Sequence, residues 1–155
     1  MIITAAALLP DVSAAQYGHW SSSRIGGGGY LLNTVFCPSA PGTVYCNSDV
    51  GGLFKSTDNG RSWDMLHGNV SMPLYFVRGI DVDPRNSNIV LAAVGEQWGA
   101  RRGVFRTIDG GKSWKAVCPS AHYGNTVYKQ AGNVFARDFS SPDTVYMASS
   151  DGIFV

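Results

Sequence analysis

Short apolar runs alternate with clusters of Gly, Pro, Asn, Asp and Ser along most of the chain. Runs of this length, bounded by turn residues, predict β-strands. The clearest runs lie at 43–46, 89–93 and 144–148, with further runs at 53–56 and 104–107. No long stretch carries apolar residues at the spacing of a helix face. The pattern therefore predicts an all-β protein with many tight turns.

The strand pattern repeats along the chain in copies at 34–63, 79–114 and 136–154, the third of which is shorter. Each full copy contains a short strand, a polar turn, a second strand, a loop, a third strand, a hairpin and a fourth strand carrying Trp. Four short antiparallel strands in a period of about 50 residues are typical of a β-propeller blade. A β-sandwich is the weaker alternative, because it does not require a repeating sequence.

The two hairpins share the motif Ser/Thr-x-Asp-x-Gly-x-x-Trp, the Asp-box. They are Ser56-Thr-Asp58-Asn-Gly60-Arg-Ser-Trp63 and Thr107-Ile-Asp109-Gly-Gly111-Lys-Ser-Trp114. The Asp carboxylate is expected to accept hydrogen bonds from its own loop, and Gly to adopt the positive φ that the turn needs. The Trp ring is expected to anchor the loop by packing on neighbouring strands. We therefore predict a structural role for Ser56, Asp58, Gly60, Trp63, Thr107, Asp109, Gly111 and Trp114.

The copies amount to about two and a half blades, whereas a propeller ring closes with at least four. We therefore expect residues 17–155 to be the N-terminal blades of an incomplete propeller, with the remaining blades as partners. Residues 1–16 are predicted to be a signal-peptide remnant or a disordered leader. They combine a short apolar run with small residues but have no Lys or Arg before the run. A signal peptide would make the protein secreted.

Charge and cysteine content exclude several classes of partner and site. The chain has 12 basic and 11 acidic residues and a net charge of +1, so we expect neither nucleic acid nor membrane as a partner. Cys37 and Cys46 are expected to lie diagonally across a strand pair, which is poor disulfide geometry, so buried free thiols are favoured over a bridge. The Cys and His spacings predict no metal site, and no cofactor is expected.

Three segments near the start of the propeller carry a family resemblance. They are Ile25-Gly-Gly-Gly-Gly-Tyr30, Thr34-Val-Phe-Cys-Pro38 and Val44-Tyr-Cys-Asn-Ser-Asp49-Val-Gly-Gly52. Together they resemble the N-terminal part of glycoside hydrolase family 74, the xyloglucanases, and weaker likeness continues to residue 155. The resemblance implies an inverting hydrolase of β-glucan or xyloglucan whose general acid lies in a second propeller. The chain alone would then be inactive.

The resemblance implies that Asp49 is the general base. Asp49 lies at the end of the second strand of its predicted blade, where loops gather at one mouth of the ring. Gly51 and Gly52 have no side chains and leave room beside it for a sugar. An inverting base must activate a water molecule across from the acid. The alternative is a structural Asp that caps the turn, as expected for Asp151 at the matching place in the third copy. The residues alone leave both roles open, and the resemblance favours catalysis.

Trp98 is a candidate substrate-binding residue on the same side as Asp49, by its position in the repeat. Trp98 lies in a Gly-flanked loop, where an exposed ring can stack on a sugar, and Tyr30 and Arg102 are weaker candidates. The alternative for the two aromatic residues is packing in the core. The alternative for the Arg side chain is a solvated surface position in its loop. Asn47 and Ser48 stand where the family commonly has Arg and Thr. These differences concern the identity of the substrate more than the fold. The competing function is a non-catalytic Asp-box propeller that binds a protein or glycan, as sortilin-like receptors and assembly factors do.

Overall fold

A computed structural model of the protein describes residues 21–27, 29–66, 76–95, 102–119 and 132–155. Within these ranges the chain forms eleven β-strands in three antiparallel sheets. The predicted leader at 1–16 lies outside the described residues, so the domain division stays a prediction. No described helix is long and apolar enough to cross a membrane.

Each sheet is built from strands that are consecutive in sequence, which is the connectivity of a propeller blade. The first sheet contains β1 (Leu31–Phe36), β2 (Val44–Ser48), β3 (Gly52–Ser56) and β4 (Asp64–Met65). The second contains β5 (Val77–Val82), β6 (Val90–Val94), β7 (Gly103–Thr107) and β8 (Lys115–Cys118). The third contains β9 (Phe135–Arg137), β10 (Val145–Ser149) and β11 (Gly152–Phe154). The prediction of an incomplete propeller with four-stranded blades is confirmed.

The turn between the first two strands has the same hydrogen bonds in all three sheets. The N–H of Cys37 donates to the carbonyl of Thr43 at 3.2 Å. The matching bonds join Asp83 to Ile89 at 3.0 Å and Asp138 to Thr144 at 3.1 Å. The sequence repeat is therefore a repeat of backbone geometry, even where Cys37 replaces Asp.

The core lies between the faces of successive sheets. β5 is buried along its whole length and packs against β1 and β2 on one side and β9 on the other. The larger cluster, between the first and second sheets, includes Tyr45, Leu53, Val77, Ile80, Val90 and Phe105. A smaller one, between the second and third, contains Ala93, Val104, Phe135 and Met147. Burial of each large apolar side chain contributes about 1.5–3 kcal/mol, so these clusters hold the blades together.

An ion pair crosses the boundary between the second and third sheets. The guanidinium of Arg137 donates to the carboxylate of Asp81, with Nε 3.1 Å from Oδ2. Both side chains are largely buried, at 7% and 12% exposure. Buried charges are tolerated only when they are paired, so this contact fixes the relative position of two blades.

The cysteines carry no disulfide. Cys37, Cys46 and Cys118 are free, and the first two are buried. In the ladder Thr34 pairs with Cys46 and Phe36 with Val44, so Cys37 lies beyond the strand, opposite Thr43 and not diagonal to Cys46. The expected diagonal placement was wrong by one residue, because the position of the turn sets the register. The buried free thiols match the favoured prediction. Burial also raises the pKa of the Cys46 thiol.

Candidate active site

Asp49 follows the last residue of β2 and is 1% exposed. It is joined to Tyr30 by two hydrogen bonds that run in opposite directions. Its N–H donates to the Tyr30 carbonyl at 3.0 Å, and its carboxylate oxygen Oδ1 accepts the Tyr30 N–H at 2.7 Å. The carboxylate is therefore held in one orientation by the backbone of the segment that precedes β1.

Gly27 and Gly29 lie so close to the first blade that neither leaves room for a side chain. A Cβ on Gly29 would lie 2.7 Å from Asp49 Oδ1 and 2.5 Å from Ser48 Oγ, and the φ of Gly29 is +101°. A Cβ on Gly27 would lie 2.3 Å from the ring of Phe54. Only glycine permits both the positive φ and this close approach. The glycine run therefore places Tyr30 against Asp49.

The turn after Asp49 differs from the turn expected to match it in the third sheet. Ser48 pairs with Gly52, and Ser149 pairs with Gly152, so the third-sheet turn is shorter by one residue. By this register Ser150, and not Asp151, corresponds to Asp49. Asp151 is exposed, and its N–H donates to Ser149 Oγ at 3.0 Å. The expected equivalence of Asp49 and Asp151 was wrong, because turn length could not be read from the Asp-Gly dipeptides.

Arg78 is a neighbour of Asp49 that sequence reasoning missed. It lies in a bulge of β5, where the pairing shifts between Val77 and Gly79, and it is 9% exposed. Burial lowers the pKa of its guanidinium, and the negative charge of Asp49 opposes this by raising it. The signal available in the sequence was the single cation of a largely apolar strand.

Asn47 connects the strand that precedes Asp49 to the strand that contains Arg78. Its side-chain amide donates to the carbonyl of Val77, the residue before Arg78, at 2.7 Å. Asn47 is fully buried and lies two positions before Asp49. The end of β2 is therefore tied to the start of β5, across the boundary between the first two sheets.

The structure describes two of the three candidate substrate-binding residues. Tyr30 is 55% exposed, so its backbone holds Asp49 while its ring remains accessible. Arg102 directly precedes β7, whose first residue Gly103 pairs with Val94, so it lies at the end of its sheet that corresponds to Asp49. Trp98 lies outside the described residues.

The first hairpin loop, residues 56–63, closes around the carboxylate of Asp58. That carboxylate accepts the N–H of Ser62 at 2.9 Å, the hydroxyl of Ser62 at 2.6 Å and the hydroxyl of Ser56 at 2.8 Å. These bonds, led by the Ser62 hydroxyl, lower the Asp58 pKa to about 2. The φ of Gly60 is +81°, and its carbonyl accepts the indole N–H of Trp63 at 3.1 Å.

The second hairpin loop, residues 107–114, has the same bonds. Asp109 accepts the N–H of Ser113 at 2.9 Å and the hydroxyl of Thr107 at 2.7 Å, and its pKa is lowered chiefly by the Ser113 hydroxyl. The φ of Gly111 is +98°, and its carbonyl accepts the Trp114 indole N–H at 3.1 Å. Both loops lie at the strand ends opposite the turn that carries Asp49. Among the described residues no group of three or more His, Cys, Asp or Glu is placed to bind a metal.

Known proteins similar to this chain are xyloglucanases. The chain is 27% identical over 143 residues to a xyloglucanase of Hypocrea jecorina (strain QM6a), covering 86% of this chain and 17% of that protein. It is 26% identical over 142 residues to a xyloglucanase of Acetivibrio thermocellus, with the same coverage. No family model matches the chain. The matches confirm the predicted resemblance to the xyloglucanases, and the chain spans 17% of the length of these relatives.

A solved structure shows the same fold. The GH74 xyloglucanase from Xanthomonas campestris superposes with a TM-score of 0.69 and 24% sequence identity. The superposition covers 87% of this chain and 20% of that chain. At this identity the likeness establishes the propeller architecture, and the chemistry has to be argued from the residues themselves.

Proposed function

We propose that this chain is part of a secreted glycoside hydrolase that cleaves xyloglucan or a related β-glucan with inversion, and that Asp49 is its general base. The proposal is supported by the xyloglucanase relatives and by one geometric observation. A buried carboxylate stands at the end of a blade, oriented by the Tyr30 N–H and influenced by the cation of Arg78. A hydrogen bond from an N–H and a nearby cation both favour the ionised form of a carboxylate, and the hydrogen bond also fixes its orientation.

In an inverting reaction the two carboxyl groups act on opposite sides of the sugar. Asp49 would take a proton from a water molecule while the water oxygen attacks the anomeric carbon. A carboxylic acid on the other side would protonate the departing glycosidic oxygen. The Tyr30 N–H holds Oδ1 of Asp49, so the carboxylate does not have to reorient during the step.

The general acid is proposed to lie outside this chain, in a second propeller of a longer protein. The chain's 17% share of its relatives' length supports this division. The chain alone would then carry half of the catalytic pair and cleave no substrate. Its proposed partners are the remaining blades, that second propeller and the polysaccharide. We also propose that the protein is secreted, because residues 1–16 resemble the remnant of a signal peptide.

The other candidate residues have separate proposed roles. Tyr30, with an exposed ring beside Asp49, and Trp98 would stack on sugar rings, while Arg102 would donate hydrogen bonds to hydroxyls. The two hairpin loops are proposed to be Asp-boxes with a structural role. Their Asp carboxylates are engaged by groups of their own loops and lie at the far ends of the strands from Asp49.

A specific observation also favours the second candidate, a non-catalytic propeller that binds a protein or glycan. Asp49 is 1% exposed, and both its N–H and its carboxylate bond the Tyr30 backbone. A carboxylate in that position could serve only to fasten the Gly-rich segment to the first blade. The two functions differ in what happens when the charge of Asp49 is removed.

The deciding experiment replaces Asp49 by Asn in the full-length enzyme and follows xyloglucan hydrolysis. Asn keeps the shape and can still accept the Tyr30 N–H, so we expect folding to persist. Loss of a general base lowers kcat by about 10²- to 10⁴-fold. Asp151→Asn is the matched control, an exposed turn Asp in the third sheet, and we expect wild-type activity from it. Full activity of Asp49→Asn would remove Asp49 from the mechanism and favour the binding function.

A further inference from the structure

The geometry points to Arg78 as a positioning residue for Asp49. The guanidinium, held in the bulge of β5, keeps the carboxylate ionised and fixed from across the boundary between the first two blades. This inference rests on the proposed function, because it assigns a supporting residue to the proposed general base. The proposed base and its cation come from different sheets, so the packing of the first two blades would position the catalytic carboxylate.

A bulge directs Arg78 away from the normal strand pattern. Val77 pairs with Val94 and Gly79 with Ala93, so Arg78 is the extra residue of the bulge. Bulges turn a side chain out of the regular alternation and occur often beside active sites. The first sheet has the same irregularity between Leu31 and Asn33, and there the extra residue is Leu32. Two blades therefore share a bulge at this place, and only the second carries a cation in it.

Burial makes the position of Arg78 informative. Arg is rarely buried without a countercharge, because removing a guanidinium from water is costly. Arg78 is 9% exposed, and the charge of Asp49 raises its pKa against the effect of burial. Two largely buried groups of opposite charge thus interact at the end of the first blade. Each favours the ionised state of the other.

Asn47 joins the end of β2, which precedes Asp49, to the start of β5, which carries Arg78. Its amide donates to the Val77 carbonyl at 2.7 Å, next to the bulge, and it lies two residues before Asp49. Tyr30 fixes the same carboxylate from the other side through its N–H. Asp49 is therefore held between the Gly-rich segment and β5.

Other charged groups near these elements are engaged elsewhere. Asp81, on the same strand as Arg78, pairs with Arg137 of the third sheet. Lys55 of β3 lies over the ring of Tyr45. Burial and the charge of Lys112 lower the pKa of Lys55, whereas the charge of Asp64 raises it. The charge of Asp49 raises the pKa of Arg78, which shows that the two groups interact. Removal of Arg78 should therefore change how Asp49 ionises.

The test is the pH dependence of kcat/KM for xyloglucan in the full-length enzyme, comparing Arg78→Met with Arg78→Lys. Removing an opposite charge disfavours the carboxylate, by about one pH unit or more. For Arg78→Met we expect the acid limb of the profile to move up by about one unit, with kcat reduced about tenfold and KM little changed. Arg78→Lys, which keeps the charge, should restore the wild-type limb. Arg85→Met, which removes a half-exposed cation of the same sheet, should leave the limb unmoved.

Three results would overturn the inference. The first is an Arg78→Met profile whose acid limb does not move. The second is a uniform loss of rate at all pH values that Arg78→Lys does not rescue, which would indicate a structural role. The third is an equal effect of Arg78→Met in wild-type and Asp49→Asn backgrounds, since a residue that acts through Asp49 has nothing left to act on. If Arg78→Met does not fold, the same comparison uses Arg78→Gln. Full activity of Asp49→Asn would instead refute the proposed function.

Discussion

Tyr30 and Asp49 bond each other in both directions, with the Asp49 N–H donating to the Tyr30 carbonyl and the Tyr30 N–H donating to the Asp49 carboxylate. These bonds join the segment before β1 to the end of β2. They also explain why glycine precedes Tyr30, since Gly29 must pass within van der Waals contact of the carboxylate. The glycine run and the acidic residue are thus two parts of one structural unit.

Replacing Gly29 by Ala should therefore damage both stability and activity. The new Cβ would lie 2.5 Å from Ser48 Oγ and 2.7 Å from both Asp49 Oδ1 and Val50 Cγ2, at a φ of +101°. We expect a fall in melting temperature together with a loss of hydrolysis in the full-length enzyme. Differential scanning calorimetry and a xyloglucan assay measure the two effects.

Gly26→Ala is the matched control for this prediction. Gly26 also has a positive φ, +71°, but nothing lies within 4 Å of a Cβ built there. Its replacement should cost only the backbone strain, about 1–2 kcal/mol, and leave hydrolysis intact. Equal effects of the two substitutions would show that the approach of Gly29 to Asp49 does not matter.

The hairpin loops should make stability depend on acid pH. The Asp58 pKa is about 2 in the folded protein, below its ordinary value of 3.8. A depressed carboxyl pKa contributes stability that is fully present above the unfolded value and is lost as the pH falls through the folded one. We therefore expect Asp58→Asn to lower the melting temperature at pH 6, with the difference from wild type shrinking between pH 4 and pH 2.

Thermal melts of both proteins across this pH range provide the measurement. Thr57→Ala, an exposed change in the same loop, should leave the pH dependence as it is in wild type. A difference between Asp58→Asn and wild type that is constant from pH 6 to pH 2 would argue against the ionised Asp58 as the source of the stability.

The ion pair between Asp81 and Arg137 should stabilise the boundary between the second and third sheets. Removing one partner of a buried pair leaves the other charge uncompensated, at a cost of about 3–5 kcal/mol. We expect Arg137→Met to lower the urea midpoint accordingly, and the double variant with Asp81→Asn to recover part of that loss. Asp143→Asn, 86% exposed, should cost less than about 1 kcal/mol. A double variant as unstable as the sum of the singles would contradict the pairing.

Much of the fold followed from the repeat, whereas the surroundings of Asp49 did not. Predicted second strands at 43–46, 89–93 and 144–148 are observed one or two residues later, because strand ends depend on pairing with neighbours. The hairpin loops are local, so their sequence specifies their hydrogen bonds. The approach of Arg78 to Asp49 depends on packing between two sheets and on a bulge. The sequence shows a cation in this strand, but neither the packing nor the bulge can be read from it.

Chemical rescue of Asp49→Ala in the full-length enzyme tests the role of Asp49 most directly. Azide attacks an anomeric carbon without losing a proton, so it does not need the base that activates water. We expect the variant to lose about 10²- to 10⁴-fold in kcat on xyloglucan. Added azide should restore part of the rate and give an α-glycosyl azide, with the new C–N bond formed as the glycosidic C–O bond breaks. A variant that hydrolyses xyloglucan at the wild-type rate, or an azide product of β configuration, would contradict Asp49 as the base of an inverting reaction.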